Sequence, residues 1–141
     1  MPRTILLPID LSEKGSWEKA LAEALSLAGD KGVLHVVSVL PDFGMAQVGG
    51  FFGKSFEKDA LAAFGKSLAE WVSEHVPDGV EVHPHVLHGT IYDEILRAAG
   101  KLKVDVIVMG SHRPEFKDYL LGPNAARVVR HADCSVYVVR G

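Results

Sequence analysis

Residues 104–124 read VDVIVMGSHRPEFKDYLLGPN, and this stretch decides the fold. Val104, Val106, Ile107, Val108 and Met109 make an almost unbroken apolar run, which predicts a strand covered on both faces and stopping at Gly110. A short polar loop follows, then a second glycine, Gly122, and then Asn124 opening a predicted helix. A strand that feeds a glycine loop and then a helix N-terminus is how α/β proteins hold phosphate. Glycine lets the backbone approach an anion, and the helix end presents free N–H groups and a partial positive charge. Two readings follow: a nucleotide binder, or a compact α/β domain whose glycines only turn the chain.

Outward from this stretch, strand and helix patterns alternate. Residues 4–9 are a short apolar run, the first predicted strand. Residues 16–28 place Trp17, Ala20, Leu21, Ala24, Leu25 and Ala28 at helical spacing, closed by Gly29. Residues 33–40 are nearly all apolar and β-branched, as in a strand buried on both faces. Residues 55–76 repeat helical spacing through Phe56, Ala60, Phe64, Leu68, Trp71 and Val72, and Pro77-Asp78-Gly79 is a turn. In residues 80–87, Val82, Pro84 and Val86 alternate with Glu81, His83 and His85, which predicts a more exposed strand. Thr90, with Asp93 three residues on, has capping-box-like spacing and predicts a helix facing the core through Ile91, Ile95 and Leu96. Residues 124–131 form a helix and residues 135–139 the last strand.

This order predicts an α/β fold, a five-stranded parallel sheet with helices on both faces. Ligands in such sheets bind outside the carboxyl ends of the strands, where strand order reverses. The rule selects Pro8, Ile9 and Asp10, then residues 37–41, then residues 109–113. Residues 41–54 (PDFGMAQVGGFFGK) read as a long Gly- and Phe-rich connection. It is either a surface loop with Phe51 and Phe52 tucked under the next helix, or a lid or partner contact.

A chain of 141 residues with 48% hydrophobic and 23% charged residues has room for one domain, residues 1–141, with a core of its own. Net charge is −3 with no basic run, which argues against a nucleic-acid surface. No apolar stretch is long enough for a membrane span. The N-terminal segment lacks the build of a signal peptide, so a cytoplasmic location is expected. Cys134 is the single cysteine, which excludes an internal disulfide and suggests a packed thiol.

Four segments together resemble the universal stress protein family. They are ILLPIDLSEKG, LHVVSV, HGTIYDEILRAAGKLKVDVIVMGSH and LLGPNAARVVRHADCSVYVVR, spread over the whole chain. The resemblance implies a Rossmann-like fold of the adenine nucleotide alpha hydrolase-like kind. It also implies ATP or AMP as ligand, held in many members by Gly-x-x-Gly-x9-Gly-(Ser/Thr). In this sequence Gly110 and Gly122 occupy the outer glycine positions. Arg113 stands at the middle glycine, Pro123 at the closing hydroxyl, and the second spacing is one residue shorter. A bacterial subgroup with a similar Gly-Ser-x-x-Pro…Leu-Leu-Gly-x-Asn-Ala form includes nucleotide binders. Pro123 is the sharper departure, because it lacks both a hydroxyl and an N–H.

On this reading Gly110, Ser111, Gly122 and Asn124 meet phosphate and ribose, with Pro123 and Ala125 in the same helix start. Alternatively Gly110 is a turn glycine, Ser111 caps the loop, and Asn124 is a helix N-cap behind a preorganised proline. Arg113 pairs with phosphate, or else with solvent, Glu115 or Asp118. Asp10 accepts a hydrogen bond from adenine or ribose or holds Mg²⁺ near the phosphates, or else it caps the turn with Ser12. Pro8, Ile9, Val36 and Met109 would wall the adenosine end, although strand residues of this kind are core in any case. His83, His85 and His88 suggest either a metal site lacking a completing ligand or an exposed strand face, and His112 lies in the glycine loop. The expected function is an ATP- or AMP-binding regulator of a stress response or of a partner protein such as a transporter. The alternatives are a nucleotide-free interaction protein and a slow metal-dependent ATPase. A homodimer is expected through the last strand, Ser135 to Val139, with a tetramer if the 41–54 segment adds contacts.

Overall fold

The computed structural model describes the backbone of residues 3–41, 45–111 and 122–140, and side chains within 3–40, 58–111 and 125–140. Its elements in order are β1 (Thr4–Pro8), α1 (Glu18–Ala28), β2 (Val33–Pro41), α2 (Met45–His75) and β3 (Glu81–Gly89). They continue with α3 (Ile91–Leu102), β4 (Val106–Ser111), α4 (Gly122–His131) and β5 (Ser135–Arg140). A single 3₁₀ turn, Lys14–Ser16, precedes α1. The fold is a Rossmann-like α/β architecture with strand order β3-β2-β1-β4-β5 and every pair parallel.

The order is dictated by which strands are apolar on both faces. β1 sits in the middle, and Ile5, Leu6 and Leu7 have no exposed surface. Alternate residues point to opposite faces. Ile5, Leu7, Val36 and Val108 therefore share one layer with Trp17, Ala24, Leu68 and Trp71 of the α1–α2 side. Leu6, Val37, Ile107 and Met109 share the other with Ile95, Ala98 and Val128 of the α3–α4 side. β3 alternates polar and apolar because it is a sheet edge, as its pattern predicts. Trp17 and Trp71 meet edge to face at 5.2 Å, and His75 lies 4.5 Å from the Trp17 ring. This aromatic cluster ties the last turns of α2 to the start of α1.

Four local expectations change. Residues 45–54 are helical rather than a loop, since α2 begins at Met45. Gly49, Gly50 and Gly53 each disfavour a helix by about 1 kcal/mol. Against that, Val48, Phe52 and Phe56 repeat at helical spacing, and extending an existing helix avoids the nucleation cost. Residues 42–44, and the side chains of Phe51 and Phe52, lie outside the described residues. Strand β4 does not stop at Gly110; it continues through Ser111 because β5 keeps pairing with it, Gly110↔Val139 and Ser111↔Arg140. Thr90 is the N-cap of α3 but makes no side-chain cap bond, so the capping box does not form. Helix α4 starts at Gly122, which makes Asn124 a first-turn residue and not its N-cap.

Leu68 is 1% exposed beneath α2. Leu68→Ala should lower unfolding stability by about 2–5 kcal/mol, the range for a buried leucine leaving a cavity. Ser67→Ala, at an exposed position, should change it by less than about 0.5 kcal/mol. Urea unfolding measures both.

Candidate functional site

The strand order places β2 on one side of β1 and β4 on the other, so the chain crosses over in opposite directions from β1. The crevice at the carboxyl end of β1 is the switch point where α/β sheets bind ligands. Asp10 stands there, only 6% exposed. Its Oδ1 accepts from the Ser12 N–H at 3.0 Å and from the Ser12 hydroxyl at 2.7 Å. The predicted turn-capping bond to Ser12 is therefore present. Among the described residues none is bonded to Oδ2.

Ser16 holds the Asp10 backbone. Its hydroxyl oxygen accepts from the Asp10 N–H at 3.0 Å and lies 2.7 Å from the Glu13 carbonyl, to which it donates. The Ser38 hydroxyl donates to the Ile9 carbonyl at 3.0 Å, locking the end of β1 to β2. Ser16 and Ser38 are each 2% exposed, and neither stood out as a site residue in the sequence. A serine inside the apolar run VVSV was the available signal for Ser38.

Gly110 completes the junction. A Cβ there would overlap the Ser16 carbonyl oxygen and lie 3.0 Å from its carbonyl carbon. The glycine permits close backbone approach, but the partner shown is the β1–α1 loop of this same chain. Ser111 follows at the end of β4, half-buried. Pro8 and Ile9 are buried at the end of β1, while Val36 and Met109 have no exposed surface at all. Val36 and Met109 thus floor the crevice from opposite core layers without lining it.

Beyond the crevice, α4 begins Gly122-Pro123-Asn124-Ala125. The missing N–H of Pro123 falls in the first turn, where N–H groups lack helical partners anyway. By helix geometry the free donors of this turn include Gly122 and Asn124, whereas Ala125 N–H makes the first bond inside the helix. No acidic residue lies in the first turn, and Arg130 and His131 lie in the last. No residue of the helix's own first turn therefore neutralises its positive end. Ala125 itself is buried against the α3 layer. Arg113, His112, Glu115 and Asp118 lie outside the described residues, as does the rest of 112–121.

Other predicted groups fall elsewhere. Among the described residues no three or more His, Cys, Asp or Glu side chains are arranged to hold a metal ion. His85 instead pairs with His35 of β2, their Nε2 and Nδ1 atoms 2.9 Å apart. Cys134 is half-buried, and burial pushes its thiol upward, in keeping with a packed, unreactive cysteine. Two concavities lie away from Asp10. One of about 240 Å³ sits between the C-terminal ends of α3 and α4, with Lys103, His131 and Cys134 in its wall. A broader one of about 540 Å³ runs from Ser111 along α4 to Val129, Arg130 and Val138. The strand-order rule points instead to the switch point beside the buried Asp10. No helix of the described residues is long and apolar enough to cross a membrane.

A model of the universal stress protein family matches residues 1–140. The chain belongs to the universal stress protein family. It is 36% identical to Universal stress protein G of Escherichia coli O157:H7 over 142 residues, covering 99% of this chain and 100% of that protein. It is 30% identical to Universal stress protein MJ0531 of Methanocaldococcus jannaschii, covering 98% and 82%. The solved structure of the hypothetical protein MJ0577 superposes with a TM-score of 0.80 at 28% identity, covering 100% of this chain and 97% of that one. A universal stress protein solved in complex with cAMP superposes at 0.66 and 17% identity, covering 99% and 97%, a likeness of fold.

The junction gives a paired prediction for this universal stress protein. Gly110→Ala should destabilise it by about 1–3 kcal/mol, since the methyl meets backbone that cannot turn aside. Gly100→Ala, in α3 with open space around it, should be neutral or stabilising by up to about 1 kcal/mol. Thermal or urea unfolding of the two variants checks the contrast.

Proposed function

We propose that this universal stress protein binds an adenine nucleotide, ATP or AMP, in the crevice at the carboxyl ends of β1, β2 and β4, and serves as a nucleotide-dependent regulator. The observation that carries this reading is the junction of Asp10, Ser16 and Gly110. It draws the end of β4 against the β1–α1 loop at the switch point, and one oxygen of a buried carboxylate has no partner among the described residues. Family membership and the cAMP complex of a relative support an adenine nucleotide as the ligand class.

In this reading Asp10 Oδ2 accepts from the ribose or the adenine amine, and Pro8 and Ile9 lie beside the base. Val36 and Met109 support that wall from beneath. Gly110, Ser111, Gly122 and Asn124 offer N–H groups to phosphate, with Pro123 and Ala125 shaping the helix entrance and Arg113 supplying positive charge. Mg²⁺ would reach Asp10 only by way of the nucleotide phosphates. The protein works in the cytoplasm as a homodimer through β5. That strand is the free edge opposite β3, with Tyr137 39% and the neighbouring Val129 51% exposed.

Calorimetric titration with ATP and AMP should give saturable binding below about 1 mM. Asp10→Ala should weaken it about tenfold, the scale of one charge-assisted hydrogen bond. Absence of saturation in the wild type would overturn the proposal. It would favour the nucleotide-free dimeric interaction protein, the reading to which Pro123 in the first turn of α4 lends support. Sedimentation should give the mass of two chains. Replacing Val129 and Tyr137 together by lysine should shift it toward one chain with the fold retained by circular dichroism.

A further inference from the structure

Three histidines meet on the α3 face of the β3 edge. The register sets His35 opposite His83 and Val37 opposite His85. Alternation puts Leu34 and Val36 in the α1–α2 layer, so His35 shares the other face with Val37 and Val39. There the His35 and His85 rings lie 5.1 Å apart and are joined by the 2.9 Å contact between Nδ1 and Nε2. His83 stacks on His35 at 5.2 Å with 27° between the planes, and its Nε2 is 2.8 Å from Glu81 Oε2.

A nitrogen-to-nitrogen hydrogen bond needs one nitrogen bearing hydrogen and the other bare. The pair keeps that bond when neutral, and it also survives one proton added at a nitrogen facing away. A second proton must go onto the acceptor nitrogen. Two N–H groups then face each other, and the bond becomes a repulsion between cations. His83 sharpens the effect, since a charge on its ring lies against the pair and opposes protonation there. We propose that the His35–His83–His85 cluster is a proton-sensitive clasp, closed when the imidazoles are neutral and loosening the β3 edge from β2 at mildly acid pH.

The surrounding charges agree with this direction. Burial first, then His85 and His83, hold the His35 ring below its ordinary value of 6.5, with Glu81 opposing. Burial and then His83 lower His85 likewise. The charges on α3, the helix over this face (Asp93, Glu94, Arg97 and Lys101), are not among the groups acting on either ring. Both rings resist protonation more in the folded chain than in the unfolded one, so the folded state binds fewer protons. Their contribution to stability is present above 6.5 and is lost as pH falls below it. β3 feels the loss first, because β2 is its one neighbour in the sheet.

Hydrogen exchange on the full chain, with protection corrected for the intrinsic rate, tests the clasp between about pH 7.5 and about pH 5.5, the span of histidine titration. Protection of β3 amides should fall about tenfold relative to β4, the scale of one lost hydrogen bond. In His85→Gln, whose amide bonds to His35 but does not titrate, the relative fall should shrink below about threefold. Equal losses in β3 and β4, or an undiminished fall in the variant, would overturn the proposal. If His85→Gln does not fold, NMR titration of the wild-type rings decides. Uptake of the second proton together with loss of β3 protection upholds the clasp, and uptake of both protons with β3 protection unchanged refutes it.

Discussion

The pairing of β1 with β2 on one side and β4 on the other is the constraint from which the rest of this structure follows. A strand buried on both faces and hydrogen-bonded on both edges has no freedom of register. A slip by one residue would exchange Leu6 and Leu7 between core layers that are already filled. With β1 fixed, crossovers leave it in two directions, and its carboxyl end becomes the switch point of the sheet. The helices cover the sheet from both sides because the central strands present apolar residues to both.

The crevice is held by polar groups more than by packing. Ser16 ties the Asp10 N–H to the 3₁₀ turn, and Ser38 ties the Ile9 carbonyl to β2. Such buried hydroxyls contribute about 1 kcal/mol each when bonded and cost more when left unpaired. Gly110 lets β4 close on the same loop. Asp10 is therefore positioned by neighbours that are themselves held in place. The edge strand β3 is built differently. It has one sheet neighbour and a polar cluster of imidazoles on one face, so its attachment depends on protonation in a way the central strands do not.

Much of this was legible in the chain. Apolar runs marked the central strands, alternation marked β3, and helical spacing marked α1, α2 and α3, because burial on one or two faces leaves a direct imprint on residue type. Four segments spread over the chain carried the resemblance to the family, which the family match bears out. Errors came where local composition and tertiary context disagree. Gly49, Gly50 and Gly53 argued for a loop that the long α2 overrides. Gly110 looked like a strand terminus, yet β5 carries the ladder two residues further. His83 and His85 were seen together, but their partner His35 is contributed by a different strand.

The sequence by itself determined the order of elements, the central place of the apolar strands and the family, since these depend on patterns within a few residues of one another. Tertiary structure alone decided what Gly110 touches, which serines anchor Asp10, and which histidine shares a hydrogen bond with His85. Each of those depends on strands or loops brought together by the sheet register. Contacts between distant residues leave no periodic trace in the chain, because one buried glycine or serine satisfies the same local rules whatever lies across from it.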